Sequence, residues 1–139
     1  MQSRQRGVTI VELLIVVVIV GILAAIAFPS YQSQLRKGSR AAAQAEMLKI
    51  ANREAQYLLD ARNYTVGTAA LTTLNVSLSA DVTGMYTVTI VNSAGGTTPS
   101  TPPSFTIKAT PIAGGRQVPD GELTLTHDGA KTRAGNPGW

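Results

Sequence analysis

The chain contains no cysteine, which excludes disulfides, thiolate metal sites and thiol nucleophiles together. Small domains outside the cytosol often carry a bridge, so this core must hold by packing alone. Histidine is nearly as scarce, with His127 the only one. A metal centre or a base-driven reaction needs further ligands or a nucleophile at fixed positions, and the sequence shows none around it. Asp120, Glu122 and Asp128 are close in sequence but lack the dense alternating acids of a calcium loop. Charged residues make up only 14% of the chain, a neutral composition that suits many contacts with copies of itself. The net charge of +4 falls to +2 without Arg4 and Arg6, too little to argue for nucleic acid by itself. At 139 residues, the length fits one small domain plus an apolar segment.

That segment is the conspicuous presence. From Val8 to Phe28 the only clearly polar residues are Thr9 and Glu12. As a helix the run spans about 31 Å, against a hydrocarbon core of roughly 30 Å. An unpaired carboxylate inside it costs about 2.5–3.5 kcal/mol even on lenient insertion scales, so Glu12 needs a partner. Gly7 stands immediately before the run, behind Arg4 and Arg6. A cut after Gly7 would place a new α-amine on Val8, one helical turn from Glu12. Residues 1–7 are short, basic and hydrophilic, as a leader left in the cytoplasm would be. A competing cut, after the small-x-small triplet Ala25-Ile26-Ala27, would release a soluble secreted binding domain beginning at Phe28. It leaves Gly7 unexplained, puts Pro29 just past the scissile bond and interrupts the apolar region with Glu12. Cations flank both ends of the run, with Arg36, Lys37 and Arg40 beyond it, so charge alone does not orient it.

Gly21 and Pro29 perturb this helix, the first by about 1 kcal/mol of propensity, the second by a missing N–H and a ring clash. The helix is expected to resume after Pro29 and run to about Asp60, with Gly38-Ser39 marking a bend. Met47, Leu48, Ala51, Ala55, Leu58 and Leu59 form its expected apolar stripe, opposite Glu46, Lys49, Arg53, Gln56 and Asp60. Beyond it the period becomes two. Tyr86, Val88 and Ile90 mark one strand, Phe105, Ile107 and Ala109 a second, Leu123 and Leu125 a third. Asn92 to Ser104 reads as a long exposed loop, and His127-Asp128-Gly129-Ala130 as a tight turn before a short edge strand at Lys131 to Arg133. Tyr57, Tyr64, Tyr86, Phe105 and Trp139 are expected to pack rather than to line a ligand site, although Trp139 could meet a partner subunit. The layout is α+β.

The stretch Arg6-Gly7-Val8-Thr9-Ile10-Val11-Glu12-Leu13-Leu14, continuing through Gly21 to Phe28-Pro29-Ser30-Tyr31, resembles the N-terminal signature of type IV pilins. Val8 departs from it, since the family most often has phenylalanine or methionine there. The resemblance implies a prepilin peptidase that cuts after Gly7 and methylates the Val8 amine. It also implies that Glu12 pairs with the N-terminal amine of a neighbouring subunit, and that the stretch from Gly21 to Pro29 melts locally in an extending filament. The implied fold is a lollipop: a leader at 1–7, a membrane and filament-core helix at 8–29, and a head at 30–139. In the head, a helix to about residue 60 packs on a small antiparallel sheet. The implied partners are other pilin subunits, the inner membrane as a reservoir, and an assembly machine driven by a cytoplasmic ATPase.

The C-terminal segment from Gly121 to Trp139 resembles the PilE-like minor pilins, with a major pilin or a type II secretion pseudopilin as alternatives. Many minor pilins carry a cysteine pair there. The equivalent stretches read Pro119-Asp120-Gly121 and Pro137-Gly138-Trp139, so both partners are missing together. Arg36, Lys37 and Arg40 are read as contacts with lipid head groups rather than with nucleic acid, because few aromatics stand nearby to stack on bases.

Overall fold

The computed structural model describes residues 7–139; Arg4 and Arg6 of the expected leader lie outside the described residues. The first element, α1, is a helix of 52 residues, Ile10–Ala61. It stays helical through Gly21, Pro29 and the Gly38-Ser39 pair. It stops where Arg62 takes a left-handed φ of 55° and donates its N–H to the Leu58 carbonyl at 2.9 Å, a common way for a helix to close.

The chain divides into two compact units, residues 1–35 and 36–139. In the first, every large apolar side chain from Val8 to Phe28 is more than half exposed. By length and composition α1 can cross a membrane. A continuous apolar surface of this size marks a region made for lipid or for another chain.

In the second unit a five-stranded antiparallel meander runs in chain order: β1 Tyr86–Val91, β2 Thr106–Pro111, β3 Leu123–Thr126, β4 Lys131–Arg133 and β5 Asn136–Pro137. The period-two reading located the first three strands, because alternation puts Tyr86, Ile90, Ile107, Ala109, Leu123 and Leu125 on one face. The register aligns them, with Ile90 opposite Ile107 and Ile107 opposite Leu125. That face meets Ala43, Met47 and Ile50 of α1, and Phe105 closes the core just ahead of β2. Full burial of each large apolar side chain contributes about 1.5–3 kcal/mol. Two one-turn helices, α2 (Ala70–Thr73) and α3 (Ala80–Thr83), cover the core through Ala70 and Val82; neither was expected from periodicity, which a four-residue helix cannot display.

Two expectations need correction. The stripe of α1 that meets the sheet is Ala43, Met47, Ile50 and Glu54, while Leu48, Ala55 and Leu59 face outward. The helix is rotated so that a carboxylate is buried, which hydropathy counts against. The short strand β4 is not the sheet edge, because β5 pairs along it, with Thr132 opposite Pro137. The loop from Asn92 to Ser104 is largely exposed, as expected, but pinned at its root. The Asn92 side chain accepts the N–H groups of Ala94 and Gly96 and donates to the Thr98 carbonyl at 2.9 Å.

Noncovalent contacts hold the C-terminal segment. Arg40 reaches Asp120 at 2.6 Å and Arg133 approaches the same carboxylate at 3.7 Å. The Trp139 indole N–H is shared between the carbonyls of Thr124 and Thr132 at 3.2 and 3.1 Å, and Lys131 sits 4.7 Å above the ring. Gly121 has φ +78, and a Cβ added there would lie 2.6 Å from the Ala134 Cβ. Gly121→Ala should therefore cost about 2 kcal/mol or more through overpacking and left-handed strain. A thermal melt of the detergent-solubilised chain checks it; an unchanged midpoint would mean that this close approach is absent.

Candidate functional site

Gly7 and Val8 lie outside any regular element and are exposed, directly ahead of the first turn of α1. Thr9 caps that turn: its Oγ1 accepts the Glu12 N–H at 3.2 Å, and its carbonyl accepts the Leu13 N–H at 3.2 Å. A Thr-x-x-Glu sequence can close a reciprocal box, in which the glutamate also accepts the threonine N–H. Only the threonine half is made. Among the described residues the Glu12 carboxylate has neither an ion-pair nor a hydrogen-bond partner. Local capping thus accounts for Thr9, a role readable from the spacing but missed, and leaves the charge of Glu12 uncompensated. Gly21 and Pro29 lie farther along α1, amid exposed apolar side chains.

The outward row on α1 continues the theme within the second unit. Ala41, Ala45, Leu48, Ala55 and Leu59 are all exposed, and their spacings of three, four and seven keep them on one face. Leu59, at the end of this row, is 82% exposed.

The buried polar groups of the head bond within it. Glu54 is fully buried; its Oε2 accepts the Thr65 N–H at 3.0 Å, and its Oε1 has no partner. Burial pushes its pKa up to about 7, partly opposed by the Thr65 hydrogen bond. Gln117, also fully buried, accepts from the Tyr86 hydroxyl at 3.3 Å and donates to the Arg36 carbonyl at 3.2 Å. Burial, with the charge of Asp120, pushes Tyr86 up to about 12, while Arg40 opposes the shift. Glu54 and Gln117 were missed in the sequence, where nothing separates a buried polar residue from an exposed one.

The acids near the C-terminus go to separate partners. Asp120 takes Arg40, Glu122 accepts the Thr110 hydroxyl at 2.7 Å, and Asp128 closes its turn on Thr126 and Ala130. The Thr126 hydroxyl, then the Ala130 N–H, hold Asp128 below the ordinary carboxylate range. His127 is exposed, its ring centroid 6.3 Å from those of Tyr64 and Phe105. An apolar cleft beside β1, lined by Gly67, Leu71, Val88 and Thr97 among others, holds about 170 Å³. Sites for small molecules usually enclose about 300–1,000 Å³.

A long helix with a bare apolar N-terminal stretch, one free carboxylate within it and a C-terminal antiparallel sheet define a type IV pilin, a structural subunit rather than an enzyme. Within that class the chain belongs to the family described as "Type IV minor pilin ComP, DNA uptake sequence receptor", whose model matches residues 29–124. A second model, the prokaryotic N-terminal methylation motif, matches residues 2–28. Among curated proteins, the chain is 33% identical over 121 residues to fimbrial protein EcpC of Eikenella corrodens, covering 84% of this chain and 72% of that one. It is 39% identical over 88 residues to the type IV major pilin protein PilE of Neisseria gonorrhoeae, covering 62% of this chain and 50% of that one. A solved type IV pilin from Shewanella oneidensis is 24% identical with a TM-score of 0.49, covering 75% of this chain and 98% of that one.

Proposed function

We propose that the chain is an inner-membrane prepilin, cut between Gly7 and Val8, methylated on the Val8 amine and assembled into a type IV pilus as a minor subunit. The observation that carries this reading is the uncompensated Glu12 carboxylate, one turn from Val8 on an exposed apolar helix. A neighbouring subunit's Val8 amine supplies the missing cation. A prepilin peptidase makes the cut, and an assembly machine driven by a cytoplasmic ATPase draws the apolar stretch out of the bilayer. In the filament that stretch exchanges lipid for neighbouring helices, and the outward row from Ala41 to Leu59 extends the contact surface into the head. The stretch between Gly21 and Pro29 is the weakest part of the helix and yields when the filament is pulled. Minor status draws its support from the family description and is tested by the subunit's abundance in sheared filaments.

The direct test is the mass of the N-terminal peptide from the native envelope. A start at Val8 carrying one added methyl group is expected; a start at Phe28 would replace the filament subunit with a secreted domain. Gly7→Val places a β-branched side chain at the scissile bond, so a longer, uncut precursor should accumulate. Normal processing of that variant would move the cleavage site elsewhere.

A second reading, DNA binding by the head, is favoured by the description of the family, against the expectation from the sequence. Its candidate surface is β4, where exposed Lys131 and Arg133 alternate to one side of the strand and Trp139 lies beneath Lys131. Replacing both cations with alanine should weaken binding of a duplex and lower the slope of log affinity against log salt by up to about 2. Fluorescence anisotropy at several salt concentrations checks it, and an unaltered slope would exclude β4.

A further inference from the structure

The loop between β2 and the 3₁₀ turn at Val118–Asp120 has no part in assembly as described above, yet it is tightly built. The Gly115 N–H closes on the Ile112 carbonyl at 2.9 Å and the Val118 N–H on the Gly115 carbonyl at 3.2 Å. Gly114 takes φ +75, and a Cβ on Gly115 would lie 2.9 Å from the Ile112 carbonyl oxygen, so the turn tolerates little else. This effort displays an unusual set of side chains. Ile112 and Val118 are 39% and 49% exposed, and the exposed Arg116 stands between them.

Gln117 fixes where the loop lies. Its amide donates to the carbonyl of Arg36, the first residue of the second unit, so the loop sits at the end where α1 enters that unit. Lys37, next along the helix, is exposed. Arg36 follows Phe28 by eight residues in the sequence. Head groups extend roughly 5–8 Å beyond the hydrocarbon, and long basic side chains reach several ångströms back toward them. The carboxylate of the adjoining 3₁₀ turn, Asp120, is taken by Arg40 at 2.6 Å and Arg133 at 3.7 Å.

We propose that Arg36, Lys37 and Arg116, with Ile112 and Val118, form a docking surface for anionic lipid head groups, which seats the head on the bilayer before assembly. The cations bind phosphate and the two apolar side chains enter the interface. This rests on the membrane reading of the apolar run. The occupant is a lipid surface because the cluster pairs cations with exposed aliphatic groups and follows directly from the segment that spans the bilayer. A nucleic-acid backbone would use the cations but leave Ile112 and Val118 without a role.

The absence of cysteine permits a clean test on the full chain in nanodiscs. A fluorophore on Ala113→Cys reports the loop, and one on Ala94→Cys reports the far end of β1. A third on Ile19→Cys, with acyl-chain quenchers, reports insertion. With phosphatidylglycerol present, a head-group quencher should quench Ala113→Cys strongly and Ala94→Cys weakly. Replacing Arg36, Lys37 and Arg116 with glutamine should reduce the head-group-bound population roughly five-fold per cation, as should phosphatidylcholine alone. The fold should survive, because Gln117 bonds the backbone of Arg36 and not its side chain. Equal quenching at residues 113 and 94, with residue 19 buried in lipid, overturns the docking surface alone. An unquenched residue 19 overturns the membrane reading, and the docking surface with it. Loss of DNA binding in the triple variant, with head-group quenching unchanged, assigns the cluster to nucleic acid and also overturns the proposal.

Discussion

Glu12→Ala should leave a chain that inserts and is cleaved normally but is missing from sheared filaments. The substitution spares the helix start, because Thr9 Oγ1 holds the backbone N–H of residue 12 and not its side chain. It removes the penalty of a carboxylate within an apolar run and adds none, so retention in the bilayer should improve. On the proposed pairing, what it removes is the partner for a neighbour's Val8 amine. An uncompensated charge inside a helical bundle costs about 3–5 kcal/mol relative to the pair, which corresponds to a factor of roughly 150 to 5,000 in incorporation. The intact pair contributes little net stability, since desolvation offsets most of the Coulomb gain. Its value is register, because a subunit added out of step leaves two charges unpaired. Immunoblots of envelope and sheared-filament fractions, side by side, decide the matter, and wild-type levels in the filaments would rule out the pairing.

The second large effect is on stability and comes from Glu54. Burial raises its pKa from 4.5 to about 7, so the folded head holds a proton that the unfolded chain releases. Stability from this group is complete below about pH 4.5 and is lost as the pH rises through about 7. The total is roughly 3 kcal/mol. Melts of the solubilised chain should therefore show a midpoint that falls across this range. Glu54→Gln keeps an acceptor for the Thr65 N–H and removes the titration. It should flatten the profile, so that the variant's midpoint gains on the wild type's as the pH rises through about 7. The unpaired amide N–H groups lower the variant's stability at every pH alike, so the lost slope is the diagnostic. A variant that keeps the wild-type slope would assign the titration to another group.

The two groups show how differently sequence and structure carry information. Glu12 stands out because the residues around it are uniformly apolar, and its meaning depends on neighbours within one turn. Glu54 sits in an ordinary amphipathic segment, where a carboxylate every few residues marks the solvent side. Periodicity therefore favours a stripe through Leu48, Ala55 and Leu59, which face outward, over one through the buried Ile50 and Glu54. Only the position of Thr65, eleven residues away across a reversal of the chain, makes burial of Glu54 affordable.

By itself the sequence determined the apolar run, the acid within it, and the three main strands. Each rests on local chemistry: length against a bilayer, a lone charge among apolar neighbours, an alternation set by the pleat. The tertiary structure alone decided the rotation of α1, the two-residue edge strand β5, the Arg40–Asp120 pair across 80 residues of sequence, and the loop that Gln117 ties to Arg36. These depend on contacts between distant segments, and a buried polar group is stable only once its partner has been brought to it.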